Sequence, residues 1–133
     1  QHGWVGPVVA HLETPQAGWF RLAFAKGGFA GGVVAAWANY RSRLGLPYGD
    51  QGILLPRALY EDAGGYPDQP LMEDVALACA LRGRLAAIDA VAQTCPGRYR
   101  RQGWLKRGSR NIWTLLRYFS GVSPQRLAEA YRR

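Results

Sequence analysis

The sequence predicts an α/β domain: a thin mixed sheet, flanking helices and a C-terminal helical pair. Two observations carry that expectation. Segments of two-residue alternation and segments of helical periodicity follow one another along the chain. Only about three of them read as strands, against the five or six strands of an average sheet. The expected sheet is therefore incomplete on its N-terminal side.

Residues 1–17 read as irregular, with Gly3, Gly6, Pro7 and Pro15. Gly18 to Ala25 alternates. It places Phe20, Leu22 and Phe24 on the face expected to be buried, and Trp19, Arg21, Ala23 and Ala25 on the other. Lys26-Gly27-Gly28 reads as a turn. Phe29 to Leu44 is helical in period, with Val33, Trp37, Tyr40 and Leu44 forming one apolar stripe and Gly45 as the stop. After a loop over 46–52, Gly52 to Pro56 reads as a short strand and Arg57 to Ala63 as a short helix stopped by Gly64-Gly65. Glu73 to Arg82 reads as a helix. Leu85 to Thr94 reads as a strand with an interruption at Asp89. Trp104 to Ser120 is a second long helix. Ser123-Pro124 then provides an N-cap and a first helical residue for the last one.

The net charge of +8 over 133 residues invites a nucleic-acid reading. Its distribution argues for something else. Between Arg98 and Arg133 stand ten basic residues and a single acid, Glu129, whereas residues 1–97 are close to neutral. A basic nucleic-acid-binding domain stays as an alternative, but no nucleic-acid module is visible. Sugar-nucleotide phosphates or an anionic membrane surface suit a charge confined to one quarter better. Two cysteines exclude a disulfide-stapled scaffold, and no apolar run approaches the roughly 18 residues of a spanning helix. His2 and His11 read as ordinary surface histidines.

Three clusters carry candidate chemistry. Glu73-Asp74 opens a helix after a Pro-containing loop. Acids in a first turn offset the helix dipole, and a carboxylate held there can also serve as a general base on a hydroxyl. Arg98-Tyr99-Arg100-Arg101-Gln102-Gly103-Trp104 reads either as a solvated basic turn or as an anion clamp with an aromatic platform. Tyr48-Gly49-Asp50-Gln51-Gly52 reads either as an ordinary Asp turn or as a polar pair that glycines open to a ligand. In Trp104 to Ser120, Lys106, Arg110 and Arg117 share one face. Leu105, Ile112, Leu116 and Phe119 share another, expected to pack on the sheet, with an anionic interface as the alternative.

Taken together, GWFRLAFA (18–25), residues 38–84, RYRRQGWLKRGSRN (98–111) and GVSPQRLAEAYRR (121–133) resemble the C-terminal half of a family 2 glycosyltransferase. That family has the A-type nucleotide-diphospho-sugar transferase fold. The subgroup most similar is the bacterial one associated with radical-SAM and selenodomain proteins. The resemblance implies, in a full-length parent, inverting transfer of a sugar from a nucleotide-sugar donor to an acceptor hydroxyl. It implies that the pair following Gly64-Gly65-Tyr66-Pro67 supplies the base, Asp74, with Glu73 as helper. It sets Asp50 and Gln51 in the donor–acceptor cleft, and Arg100, Arg101 and Trp104 near the acceptor or diphosphate.

The family's divalent metal, Mg or Mn, sits on an Asp-x-Asp-type motif. No two acids here stand two apart, so its ligands and the nucleotide-binding strands are expected upstream of Gln1. The chain alone is expected to be inactive. On this reading residues 1–97 are the acceptor-side part and 98–133 a basic helical segment packed on it. The location is cytoplasmic, at most peripheral at the inner face of the membrane. An exposed sheet edge would permit a homodimer.

Overall fold

A computed structural model describes residues 3–132. The sheet has three strands: β1 (Ala17–Phe24), β2 (Ile53–Leu54) and β3 (Leu85–Thr94), in the order β2-β1-β3. β1 runs parallel to β3 along its length and antiparallel to β2 at only two positions, Gly18 opposite Leu54 and Trp19 opposite Ile53. The chain is thus a mixed α/β domain on a small open sheet. The interruption expected at Asp89 is a β-bulge within β3. Phe20 faces Ile88 and Arg21 faces Val91, so Asp89 and Ala90 bulge out of the ladder. Arg21 meets the bulged Asp89 at 3.0 Å. A bulge bearing a charge blunts this edge of the sheet against a further strand.

The first element is a helix, α1 (Val5–Leu12), where irregular chain was expected. Gly6-Pro7 reads as loop chemistry, but proline is tolerated in a first helical turn. α1 packs against β3. His11, at its end, is buried rather than on the surface, with Nε2 3.1 Å from the Gln16 carbonyl. Glycine at 18 makes this approach possible, since a side-chain carbon there would lie 2.5 Å from His11 Nε2 and from Ile88 Cδ1. His2 lies outside the described residues.

Helix α2 (Gly28–Arg43) covers β1. Its buried face is made of small residues, Gly31, Ala35, Ala38 and Ser42, while the stripe of Val33, Trp37, Tyr40 and Leu44 faces outward. Helix α3 (Arg57–Asp62) leads to α4 (Glu73–Ala80). After its two acids α4 is apolar all round, as befits a helix buried on more than one side. Leu77 packs with Ala17 and Leu81 toward the sheet. Val75 packs with Met72 and with Leu115 and Leu127 of the C-terminal helices. Full burial of leucines such as Leu77 and Leu81 stabilises the fold by about 1.5–3 kcal/mol each.

The basic segment after β3 is a short helix, α5 (Gly97–Gln102), rather than a turn. It is followed by α6 (Trp104–Phe119) and α7 (Pro124–Arg132). α6 buries only Thr114 and Leu115. Leu105, Ile112, Leu116 and Phe119, expected to pack on the sheet, are exposed. The faces of β1 also differ from expectation. Trp19 is buried as completely as Leu22, while Phe20 and Phe24 are half-buried. As the central strand, β1 is covered on both sides. No helix among the described residues is long and apolar enough to cross a membrane.

Candidate active site

A cavity of about 500 Å³ lies between the N-terminal end of α4, one flank of α2 and one flank of α6. Its walls are mostly apolar, with Leu22, Val33, Trp37, Met72 and Ile112 contributing. Three carboxylates reach it, Asp50, Glu73 and Asp74, together with two guanidinium groups, Arg41 and Arg107. Tyr48, Tyr99, Asn111, Thr114 and Tyr131 complete its polar lining. An apolar enclosure with a few convergent polar groups is the usual form of a small-molecule site.

Asp74 is fixed from both sides. Its Oδ2 accepts the Gly49 backbone N–H at 2.8 Å, and its Oδ1 lies 2.8 Å from the Val75 N–H. Each carboxylate oxygen has two lone pairs, so acceptor capacity remains for a ligand hydroxyl. Met72, the residue before α4, has φ 67° and ψ 18°. A left-handed methionine is an uncommon, strained backbone state. Burial of its side chain against Val75, Leu115 and Leu127 compensates. That turn points the first residues of α4 at the cavity. Gly49, the partner of Asp74, has φ 75°, a region that glycine enters without penalty.

Arg41 organises the opposite wall. It is buried with no salt bridge among the described residues, and its guanidinium donates to the carbonyls of Leu46 at 2.6 Å and Tyr48 at 2.9 Å. The same group lies 3.3 Å from the centre of the Tyr48 ring. Burial lowers its pKa, partly offset by Tyr48, Asp74 and Tyr99. Burial raises the pKa of the Tyr48 phenol; Arg41 opposes that rise and Asp74 adds to it. Arg41 therefore pins the Leu46–Tyr48 loop in the place from which Gly49 reaches Asp74.

On the α6 side, Arg107 faces the Tyr99 ring at 5.1 Å and donates to Gln102 Oε1 at 2.8 Å, while its buried Nε has no hydrogen-bond partner among the described residues. Tyr131 of α7 donates its hydroxyl to Asn111 Oδ1 at 3.2 Å.

The residues expected from sequence separate into two groups. Asp74, Glu73 and Asp50 meet at the cavity. Gln51, Arg100, Arg101 and Trp104 are not on its wall. Gln51 is 1% exposed and serves the interior instead of a cleft. Its Oε1 accepts from the Ser42 hydroxyl at 2.7 Å, and its Nε2 donates to the Phe20 carbonyl at 3.2 Å. The side chain of Arg100 donates to the Lys26 carbonyl, and Arg101 is exposed. Trp104 stacks on Tyr99, with centroids 4.8 Å apart, and meets Phe24 edge-on.

Sequence reasoning missed Arg41, Arg107, Asn111 and Tyr131. An arginine inside a helix rich in small residues is the one signal the sequence offers, for Arg41. The others come from α6 and α7 and converge only in the fold. Comparison with known proteins finds no matching family model, no matching curated protein and no matching solved structure.

Proposed function

We propose that this chain is the acceptor-side portion of a sugar-nucleotide-dependent glycosyltransferase of family 2 type, with the A-type fold in the full-length parent. The observation that carries the reading is Asp74. It is an anchored carboxylate at the start of a buried helix, on the wall of a cavity large enough for a sugar-sized acceptor. The sequence resemblance supplies the reaction, and the open three-stranded sheet suits a partial A-type fold.

In the proposed reaction an acceptor hydroxyl lies against Asp74. The hydroxyl oxygen attacks the anomeric carbon of the donor sugar and forms the new C–O bond. The bond to the nucleotide diphosphate breaks, and the electron pair leaves with the diphosphate. Asp74 takes the hydroxyl proton as the attack proceeds. Glu73, exposed beside it, is the helper. Gly49 and Arg41 position the base and its loop. Among the described residues no three Asp, Glu, His or Cys side chains are grouped to hold a metal ion. The divalent ion implied by the resemblance does not fit this chain's residues, and no step is routed through it.

The test is sugar transfer by a protein that carries this segment joined to a donor-binding segment. Asp74→Asn should reduce turnover by orders of magnitude while donor KM changes little. Normal turnover in that variant would dismiss Asp74 as the base. The 133-residue chain alone should transfer no sugar.

A further inference from the structure

We infer that the outward faces of α2 and α6 form one docking surface for an anionic lipid bilayer. The two faces are amphipathic in an inverted sense. On α2, Phe29, Val33, Trp37, Tyr40 and Leu44 fall within one arc at 100° per residue. That arc lies opposite the buried Gly31, Ala35 and Ser42. On α6, Leu105, Ile112, Leu116 and Phe119 fall within a similar arc, with Trp113 beside it, and all five are exposed. Phe29 at 90% and Leu105 at 89% exposure project almost wholly into solvent from the first turns of their helices.

The two arcs are connected. The Trp104 ring closes over Gly31, where a side-chain carbon would meet it at 3.1 Å, so the starts of α2 and α6 touch. Val33 and Trp37 from one arc and Ile112 from the other line the same cavity. Apolar surface on this scale is more than scattered single residues and marks an interaction site.

Charge selects the partner. α2, α5 and α6 contain no acidic residue. Around their touching starts stand Lys26, Arg98, Arg100, Arg101 and Lys106, all exposed. A second copy of the chain would bring an identical set of cations against this one, which opposes pairing through this face. An anionic bilayer offers the opposite charge at its surface and an apolar layer just beneath it. That arrangement matches a basic rim around Phe, Leu and Trp side chains.

Bilayer binding requires no transfer chemistry, so it can be tested apart from catalysis. The 133-residue chain is sedimented at low salt with vesicles of phosphatidylcholine and of phosphatidylcholine mixed with phosphatidylglycerol. It should partition onto the mixed vesicles, with a blue shift of tryptophan emission from Trp37 and Trp113. Added salt should weaken the binding. The double variant Phe29→Ser and Leu105→Ser removes only exposed side chains, so it should keep its circular dichroism and lose at least about tenfold in partitioning. Arg101→Glu with Lys106→Glu should weaken binding to the anionic vesicles by about fivefold or more for each cation removed.

Absence of binding to anionic vesicles at low salt would overturn the inference. So would unchanged binding by the Phe29→Ser/Leu105→Ser variant, which would mean the apolar face does not insert. A stable dimer that this variant converts to monomer, without lipid binding by either form, would assign the face to a second copy and overturn it as well.

Discussion

The side-chain amide of Asn39 pairs with the open edge of β1 at Leu22. Its Oδ1 accepts the Leu22 N–H at 2.8 Å, and its Nδ2 donates to the Leu22 carbonyl at 3.1 Å. β2 pairs with β1 only at Gly18 and Trp19, so the rest of that edge would otherwise be left open. Gln51 does the same for the Phe20 carbonyl, and its Nε2 also lies 3.4 Å from Asn39 Oδ1. Two side chains from α2 and the following loop thus complete the hydrogen bonding of a central strand.

Asn39→Ala should therefore destabilise the fold by about 2 kcal/mol, through unsatisfied backbone groups near the core rather than lost apolar contact. Asn39→Asp, which keeps the acceptor and loses the donor, should fall between. Gln51→Ala should cost a similar amount, and the double variant less than the two together, since the two amides touch. Urea denaturation of the unsubstituted protein and the four variants measures this. Strict additivity, or a loss below about 0.5 kcal/mol for Asn39→Ala, would mean that β1 is satisfied in another way.

These contacts show where the sequence could be read and where it could not. Alternation marked β1, and an acid pair after Gly-Gly-Tyr-Pro marked the start of α4; both are local signals. Asn39 looks like an ordinary polar residue on a helix and Gln51 like a cleft residue in a glycine-flanked turn, and their actual roles depend on β2 being two residues long. Periodicity likewise located α2 but not its orientation. Small residues were needed for close approach to β1, so the larger apolar residues face away. Asp74, Glu73 and Asp50 were legible as site residues because each stands in a recognisable turn or cap. Arg41, Arg107 and Tyr131 were not, because three separate helices bring them together.

Gly49 offers a direct probe of the site. With φ 75°, it donates to Asp74 from a conformation that costs an alanine roughly 1–2 kcal/mol. Gly49→Ala should lower stability by about that amount and release Asp74 from its anchor. In a protein competent for sugar transfer, the rate should drop by at least about tenfold, the equivalent of 1.4 kcal/mol in positioning, with the base itself intact. Full activity with reduced stability would show that the Gly49 bond does not orient the base.

The alkaline stability of the chain should carry the signature of Tyr48. Burial raises its pKa in the fold, whereas the unfolded phenol titrates at about 10. Above that pH the unfolded chain loses a proton that folded Tyr48 retains. The unfolded state then binds fewer protons, and the free energy of unfolding falls as pH rises. Tyr66, raised mainly by burial and next by Asp74, adds to the fall. Arg41 is lowered by burial and acts in the opposite sense, in the more alkaline arginine range. Tyr48→Phe should make the decline above about pH 10 shallower and leave the pH dependence near neutrality unchanged. Identical alkaline slopes for the two proteins would remove Tyr48 as the cause.

Trp104 separates an anchoring role from a substrate-contacting one. The resemblance sets it near the acceptor or diphosphate, yet its ring is engaged with Tyr99 at 4.8 Å, with Phe24 at 5.1 Å and with Gly31. Phe24 also meets Tyr99 edge-on, so three rings tie α5 and α6 to the end of β1. Trp104→Ala should cost about 2–3 kcal/mol, less than a fully buried tryptophan because the ring is only half-buried. Trp104→Phe should recover most of that stability by keeping an aromatic face against Tyr99. If anchoring is the whole role, transfer activity in the larger protein should follow stability and return with phenylalanine. Activity lost in Trp104→Phe at full stability would instead put the indole in contact with a substrate.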